Sequence, residues 1–127
     1  MPLKLKGYET IKSLQYVYLE DSFVLGIDQN MDSISFDLDL VLKEEHELYA
    51  TPKRDEQYCY VKAKLKFSAL RKVVWKELRM WASIDANMEI DFGNIDSFRF
   101  SGDRYQLSGD WGEIYFEADN LELDIAE

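Results

Sequence analysis

Ten consecutive residues, Ser33-Ile34-Ser35-Phe36-Asp37-Leu38-Asp39-Leu40-Val41-Leu42, alternate polar and apolar side chains almost without a break. Side chains of an extended backbone point to opposite faces in turn. Ile34, Phe36, Leu38, Leu40 and Leu42 therefore share a dry face, while Ser33, Ser35, Asp37 and Asp39 share a wet one, with Val41 the exception. Wound as a helix, the same residues would surround the axis and leave no apolar stripe. A chain built round such a stretch is a sheet with one face in a core and one in water.

The same alternation extends along most of the chain. Cys59, Val61, Ala63, Leu65 and Phe67 alternate with Tyr60, Lys62, Lys64 and Lys66, which predicts a strand over 57–67 with a basic wet face. Set antiparallel beside 33–42, its lysines would oppose Asp37 and Asp39, an arrangement worth about 0.2–1 kcal/mol per pair. Leu14 to Leu19 is rich in strand formers on both faces. Phe23, Leu25 and Ile27 form the apolar face of a second strand, which Asp28-Gln29-Asn30-Met31-Asp32 joins to 33–42 as a hairpin. Leu3 and Leu5 against Lys4 and Lys6 suggest an edge strand ending at Gly7. The C-terminal third reads as a meander, with Phe98 and Phe100, Tyr105 and Leu107, Ile114, Phe116 and Ala118, then Leu121, Leu123 and Ile125 facing inward. Short turns at Ser101-Gly102-Asp103, Ser108-Gly109-Asp110 and Asp119-Asn120 imply antiparallel neighbours. Over 69–82 the pattern divides: Leu70, Val73, Val74, Leu78 and Trp81 fit one helical face, whereas Val73 with Trp75 fits a strand. The expectation is one mainly β domain over 1–127, an antiparallel β-sandwich or partly closed barrel of about eight to ten strands, with 69–82 either a helix against it or another strand.

Fifteen Lys and Arg against 25 Asp and Glu give a net charge of −10. Nucleic acid and anionic membranes attract proteins through basic residues, so neither is an expected partner, whereas a basic protein is. Cys59, the one cysteine, rules out an intrachain disulfide and suits a reducing compartment, so a cytoplasmic location is expected. The N-terminal residues lack the apolar stretch of a secretory signal, and no segment reaches the about 18 apolar residues of a membrane span.

Few residues converge on a chemistry. Structural zinc takes about four Cys and His ligands, and one of each is present. Asp28 to Asp39 places oxygens at several calcium-loop positions but has Ser33 where the loop needs Gly, so a hairpin turn is the better reading. Asp85, Glu89, Asp91 and Asp96 are candidate ligands for a hard cation, against the plainer role of capping their own turns. His46, the one imidazole, lies with Tyr49 in the long 43–56 connection, where it could serve as a base or stand in solvent. No nucleophile motif or phosphate loop accompanies it, and no cofactor is expected. Tyr58, Tyr60 and Tyr115 fall on wet faces, the last between Glu113 and Glu117, as in a protein-binding or carbohydrate-binding patch.

Three functions are therefore weighed. The first is an acidic, non-catalytic interaction module docking a basic protein through these tyrosines and glutamates, one version being a bacterial immunity or antitoxin-like protein that covers a cationic nuclease. The second is a carbohydrate-binding domain or hydrolase-like enzyme with a cleft beside the 43–56 loop. The third is a homo-oligomeric subunit joined through strand edges.

Overall fold

A computed structural model describes residues 5–79, 83–84 and 90–126. Its strands are β1 (Lys6–Gly7), β2 (Val17–Gln29), β3 (Ser33–Leu42), β4 (Cys59–Ser68), β5 (Arg71–Leu78), β6 (Ser83–Ile84), β7 (Ile90–Asp91), β8 (Ile95–Ser101), β9 (Arg104–Gly109), β10 (Gly112–Glu117) and β11 (Asn120–Ile125). One antiparallel sheet has the order β1-β8-β9-β10-β5 and the other β11-β4-β3-β2, with β6 and β7 pairing separately. The two large sheets pack face to face as a sandwich and do not close into a barrel.

β3 lies between β2 and β4 and anchors the second sheet. Ile34, Phe36, Leu38, Leu40 and Leu42 are all buried, and β4 answers them with Cys59, Ala63, Leu65 and Phe67. The register sets Asp37 opposite Lys64 and Asp39 opposite Lys62, with N–O separations of 3.7 and 3.0 Å. The predicted charge pairing is thus present, and it holds the register that keeps the apolar row inside. Across the sandwich Phe67 meets Phe98, Tyr105 and Phe116, and Phe36 meets Trp111, with centroids 4.8–5.9 Å apart.

One open alternative is decided, and two elements depart from the expectation. First, of the helix and strand readings of 69–82, the segment 71–78 takes the strand: Ala69 and Lys72 have φ of 54° and 51°, which breaks any helical start, and the edge of β10 pairs with the segment. Val73 and Trp75 turn toward the core, whereas Val74 and Leu78 are exposed, so the predicted helical face is split; Trp81 lies outside the described residues. Second, the segments around Leu14–Leu19 and Ser22–Ile27 merge into one strand with large irregularities. Between the pairs Tyr18–Val41 and Phe23–Asp39, β2 holds four residues where β3 holds one. This bulge changes the face that follows it, so Val24 is buried and Phe23 and Leu25 are only half-buried. Third, β11 leaves the meander: the chain crosses at Ala118-Asp119 and pairs with β4 in the opposite sheet.

The two crossings, at Ala69-Leu70 and Ala118-Asp119, meet at one corner tied by Arg71. Its guanidinium donates to Asp119 and Asp103, each at 2.8 Å, and to the Ala69 carbonyl at 3.0 Å, with Glu117 at 3.8 Å. At the opposite end Trp111 is fully buried and its Nε1 donates to the Asn94 carbonyl at 3.0 Å. Gly112 beside it, at φ 139°, sits where a Cβ would collide with the Glu77 carbonyl.

Candidate functional site

The residues singled out on wet faces fall on two opposite surfaces. Tyr58 and Tyr60 stand at the start of β4 on the outer face of the four-stranded sheet. Tyr115, Glu113 and Glu117 project from β10 on the outer face of the five-stranded sheet, because Ile114 and Phe116 take the inner positions. One compact epitope cannot include both sets.

On the β10 side the polar groups already serve the fold. Tyr115 donates its hydroxyl to Glu113 at 3.2 Å and accepts from Gln106 at 3.1 Å, while Lys76 lies over its ring at 5.2 Å from the centroid. Glu117 pairs with Lys72 at 3.5 Å and with Arg71. A shallow groove of about 340 Å³ runs past Leu5, Lys72, Arg104, Gln106 and Tyr115.

The outer face of the four-stranded sheet carries the other set. The connection from Lys43 to Tyr58 folds through turns closed by His46 N–H to Lys43 O and Tyr49 N–H to His46 O, both 3.0 Å, and arches beside the sheet. Between arch and sheet lies a cleft of about 480 Å³ lined by Tyr18, Val41, Tyr49, Pro52 and Tyr58, with Lys43, Glu44 and Glu45 at its margin. Val41, the residue that broke the polar row of β3, is covered here. The aromatic surface continues past the cleft: Tyr58 meets Tyr60 edge to face at 6.2 Å, and Tyr60 stacks on Phe23 at 6.0 Å. Phe23 reaches that position because of the β2 bulge. Its neighbour Asp21 hydrogen-bonds the Tyr58 hydroxyl and raises its pKa. Burial, and then the charges of Asp21 and Asp39, raise that of Tyr60. Both phenols therefore stay neutral at physiological pH and sit in a field that favours cations. Lys43 already places its ammonium 5.6 Å from the centroid of the Tyr18 ring.

His46 is braced into its own turn, its Nδ1 accepting the Leu48 N–H at 3.1 Å, and it does not line the cleft. Cys59 lies at the cleft floor with its thiol in the core. Of the candidate cation ligands, Asp85 and Glu89 lie outside the described residues. Asp91 accepts the Gly93 N–H at 2.9 Å, and partial burial and then the nearby Asp110 raise the pKa of Asp96. Among the described residues no three Asp, Glu, His or Cys side chains come together as a metal set.

Tyr18 and Asp21 were not singled out from the sequence, and Phe23 was placed on the inward apolar face. The alternation of Tyr18 between buried Val17 and Leu19 was a signal for its outward direction, but the bulge that turns Phe23 outward left none. No helix among the described residues is long and apolar enough to cross a membrane. Compared with family models, with curated proteins and with solved structures, the chain matches none.

Proposed function

We propose that this chain is a non-catalytic protein-interaction module whose tyrosine-lined cleft takes a cationic side chain of a basic partner. The observation that carries the reading is the cleft itself: three tyrosines wall a side-chain-sized recess with glutamates at its margin, and Lys43 over Tyr18 shows the contact in intramolecular form. A cation over an aromatic face is worth about 0.5–1 kcal/mol when exposed and about 2 when desolvated, and surrounding carboxylates add attraction that speeds encounter. The net charge of −10 supplies the same steering at longer range. An immunity or antitoxin-like role, in which a cytoplasmic acidic protein masks a cationic nuclease, is one form of this reading. The enzyme reading has less support, since the imidazole of His46 and the thiol of Cys59 are both committed to the fold.

Calorimetric titration with an arginine-rich peptide, and with the same peptide carrying glutamate for arginine, tests the proposal. Binding of the first alone is expected, weakening as salt rises. It should weaken by about tenfold in Tyr18→Ala and remain unchanged in Tyr115→Ala. Equal binding of both peptides, or indifference to Tyr18, would refute it.

A further inference from the structure

The sheet margins differ in how they are guarded. β5, at one margin of the five-stranded sheet, has two register shifts against β10, a left-handed Lys72 and a second lysine at 76, all of which discourage another strand. β1, at the other margin, is two residues long. The outer edge of β2 is met at Val24 by the chain before β8, with Val24 N–H donating to Gly93 O and Phe92 N–H to Val24 O, both at 2.8 Å.

β11 has no register shift, and among the described residues no backbone-bonded segment covers its edge; its outward Glu122 and Asp124 guard it by charge. It pairs with β4 over six residues without a shift in register. Ala126 donates its N–H to Lys62 O at 2.9 Å, which fixes the bonded partners as Asp124 with Lys64 and Glu122 with Lys66. In an antiparallel ladder the intervening residues direct their N–H and C=O groups the other way. The backbone groups of Leu121, Leu123 and Ile125 therefore face outward. The turn at Lys12–Leu14 is near, but among the described residues no backbone bond joins it to β11.

The outer side chains say what kind of strand fits. Across this face the rows alternate in charge: Asp37 and Asp39 on β3, Lys62, Lys64 and Lys66 on β4, Glu122 and Asp124 on β11. Lys64 turns to Asp37 and Lys62 to Asp39, and among the described residues Glu122 and Asp124 form no ion pair. A second copy of β11 laid antiparallel on this edge would set acid against acid, which is unfavourable. A basic strand would continue the alternation.

We infer that β11 accepts an extended segment of a basic protein as a fifth strand of its sheet, with lysine or arginine at alternate positions beside Glu122 and Asp124. The main-chain bonds of Leu121, Leu123 and Ile125 hold the segment and the acidic row selects it. The inference rests on the reading that the partner is basic but uses a surface separate from the cleft.

Amide hydrogen exchange with the peptide Thr-Lys-Thr-Lys-Thr-Lys-Thr tests it. The Leu121, Leu123 and Ile125 amides are expected to slow by about tenfold or more, while those of Glu122 and Asp124 are protected with or without peptide. Glu122→Gln with Asp124→Asn, changes at exposed positions that leave the ladder intact, should abolish the slowing at the same peptide concentration. Tyr58→Ala should leave it intact, so a failure of the cleft reading is seen separately. No slowing, equal slowing by the glutamate-for-lysine peptide, loss of the effect in Tyr58→Ala, or a doubled mass in sedimentation without peptide would each overturn the inference.

Discussion

Ser22 sits in the bulge that turns Phe23 toward Tyr60, and its hydroxyl completes a ladder that the bulge interrupts. It accepts the Val41 N–H at 2.9 Å and donates to the Tyr18 carbonyl at 2.7 Å, with Ser22 itself fully buried and Val41 nearly so. Ser22→Ala removes both bonds and admits no water to replace them. A buried donor left unpaired costs about 1–3 kcal/mol, so a loss of about 2 kcal/mol is expected. With an unfolding entropy of about 2.1 cal/mol/K per residue over 127 residues, that loss lowers Tm by about 7 °C. Equilibrium urea unfolding, followed by tryptophan fluorescence, reads the change as a lower midpoint with an unaltered slope. Ser35 provides the control: it is also buried, on the neighbouring strand, but its hydroxyl forms no hydrogen bond among the described residues. Ser35→Ala should cost no more than about 0.5 kcal/mol. If the two variants were equally stable, the hydroxyl of Ser22 would not be what closes the bulge.

The ion pairs of β3 and β4 should differ in strength: a double-mutant cycle on Asp39 and Lys62, where the carboxylate is 17% exposed, should give about 0.5–1 kcal/mol. The cycle on Asp37 and Lys64, with both side chains more than half exposed, should give almost nothing. Arg71→Met leaves Asp103, Glu117 and Asp119 facing one another, so Tm should fall at pH 7, and the fall should shrink in acid or high salt. Asp96 has a folded pKa raised above its usual 3.8, first by partial burial of its carboxyl and then by Asp110, although the residue as a whole is exposed. The native state therefore holds this proton more readily than the unfolded chain, and stability declines as pH rises through the window just above 3.8 and stays lower at neutral pH. Asp96→Asn should raise Tm at pH 7 and flatten that decline; an unchanged pH profile would remove the assigned cause.

Much of the architecture was legible in the chain because strand alternation is a local property. The buried row of β3, the basic face of β4, their antiparallel pairing through Asp37 and Asp39, and the turns at Ser101-Gly102-Asp103 and Ser108-Gly109-Asp110 are read from local patterns of side chains, whereas the turn expected at Asp119-Asn120 proved to be a crossing to the other sheet. What alternation does not record is how many residues a strand spends between two ladder pairs. The bulge in β2 is of that kind: Glu20, Asp21 and Ser22 resemble a turn in sequence, and only the fit of Ser22 against Val41 and Tyr18 keeps the strand continuous. The ambiguity over 69–82 had the same source, since Leu70, Val73 and Val74 suit either period and the open edge of β10 decided between them.

The candidate site divides along the same line. Sequence placed Tyr58, Tyr60 and Tyr115 outward, because direction follows from parity along a strand. Tertiary structure decided that the first two and the last lie on opposite sheets, and that Tyr18 and Tyr49, distant in sequence from Tyr58, wall one cleft. Which sheet a strand joins depends on where the chain crosses the core. The crossings at Ala69-Leu70 and Ala118-Asp119 are set by packing and by the Arg71 corner, long-range contacts that no local pattern carries.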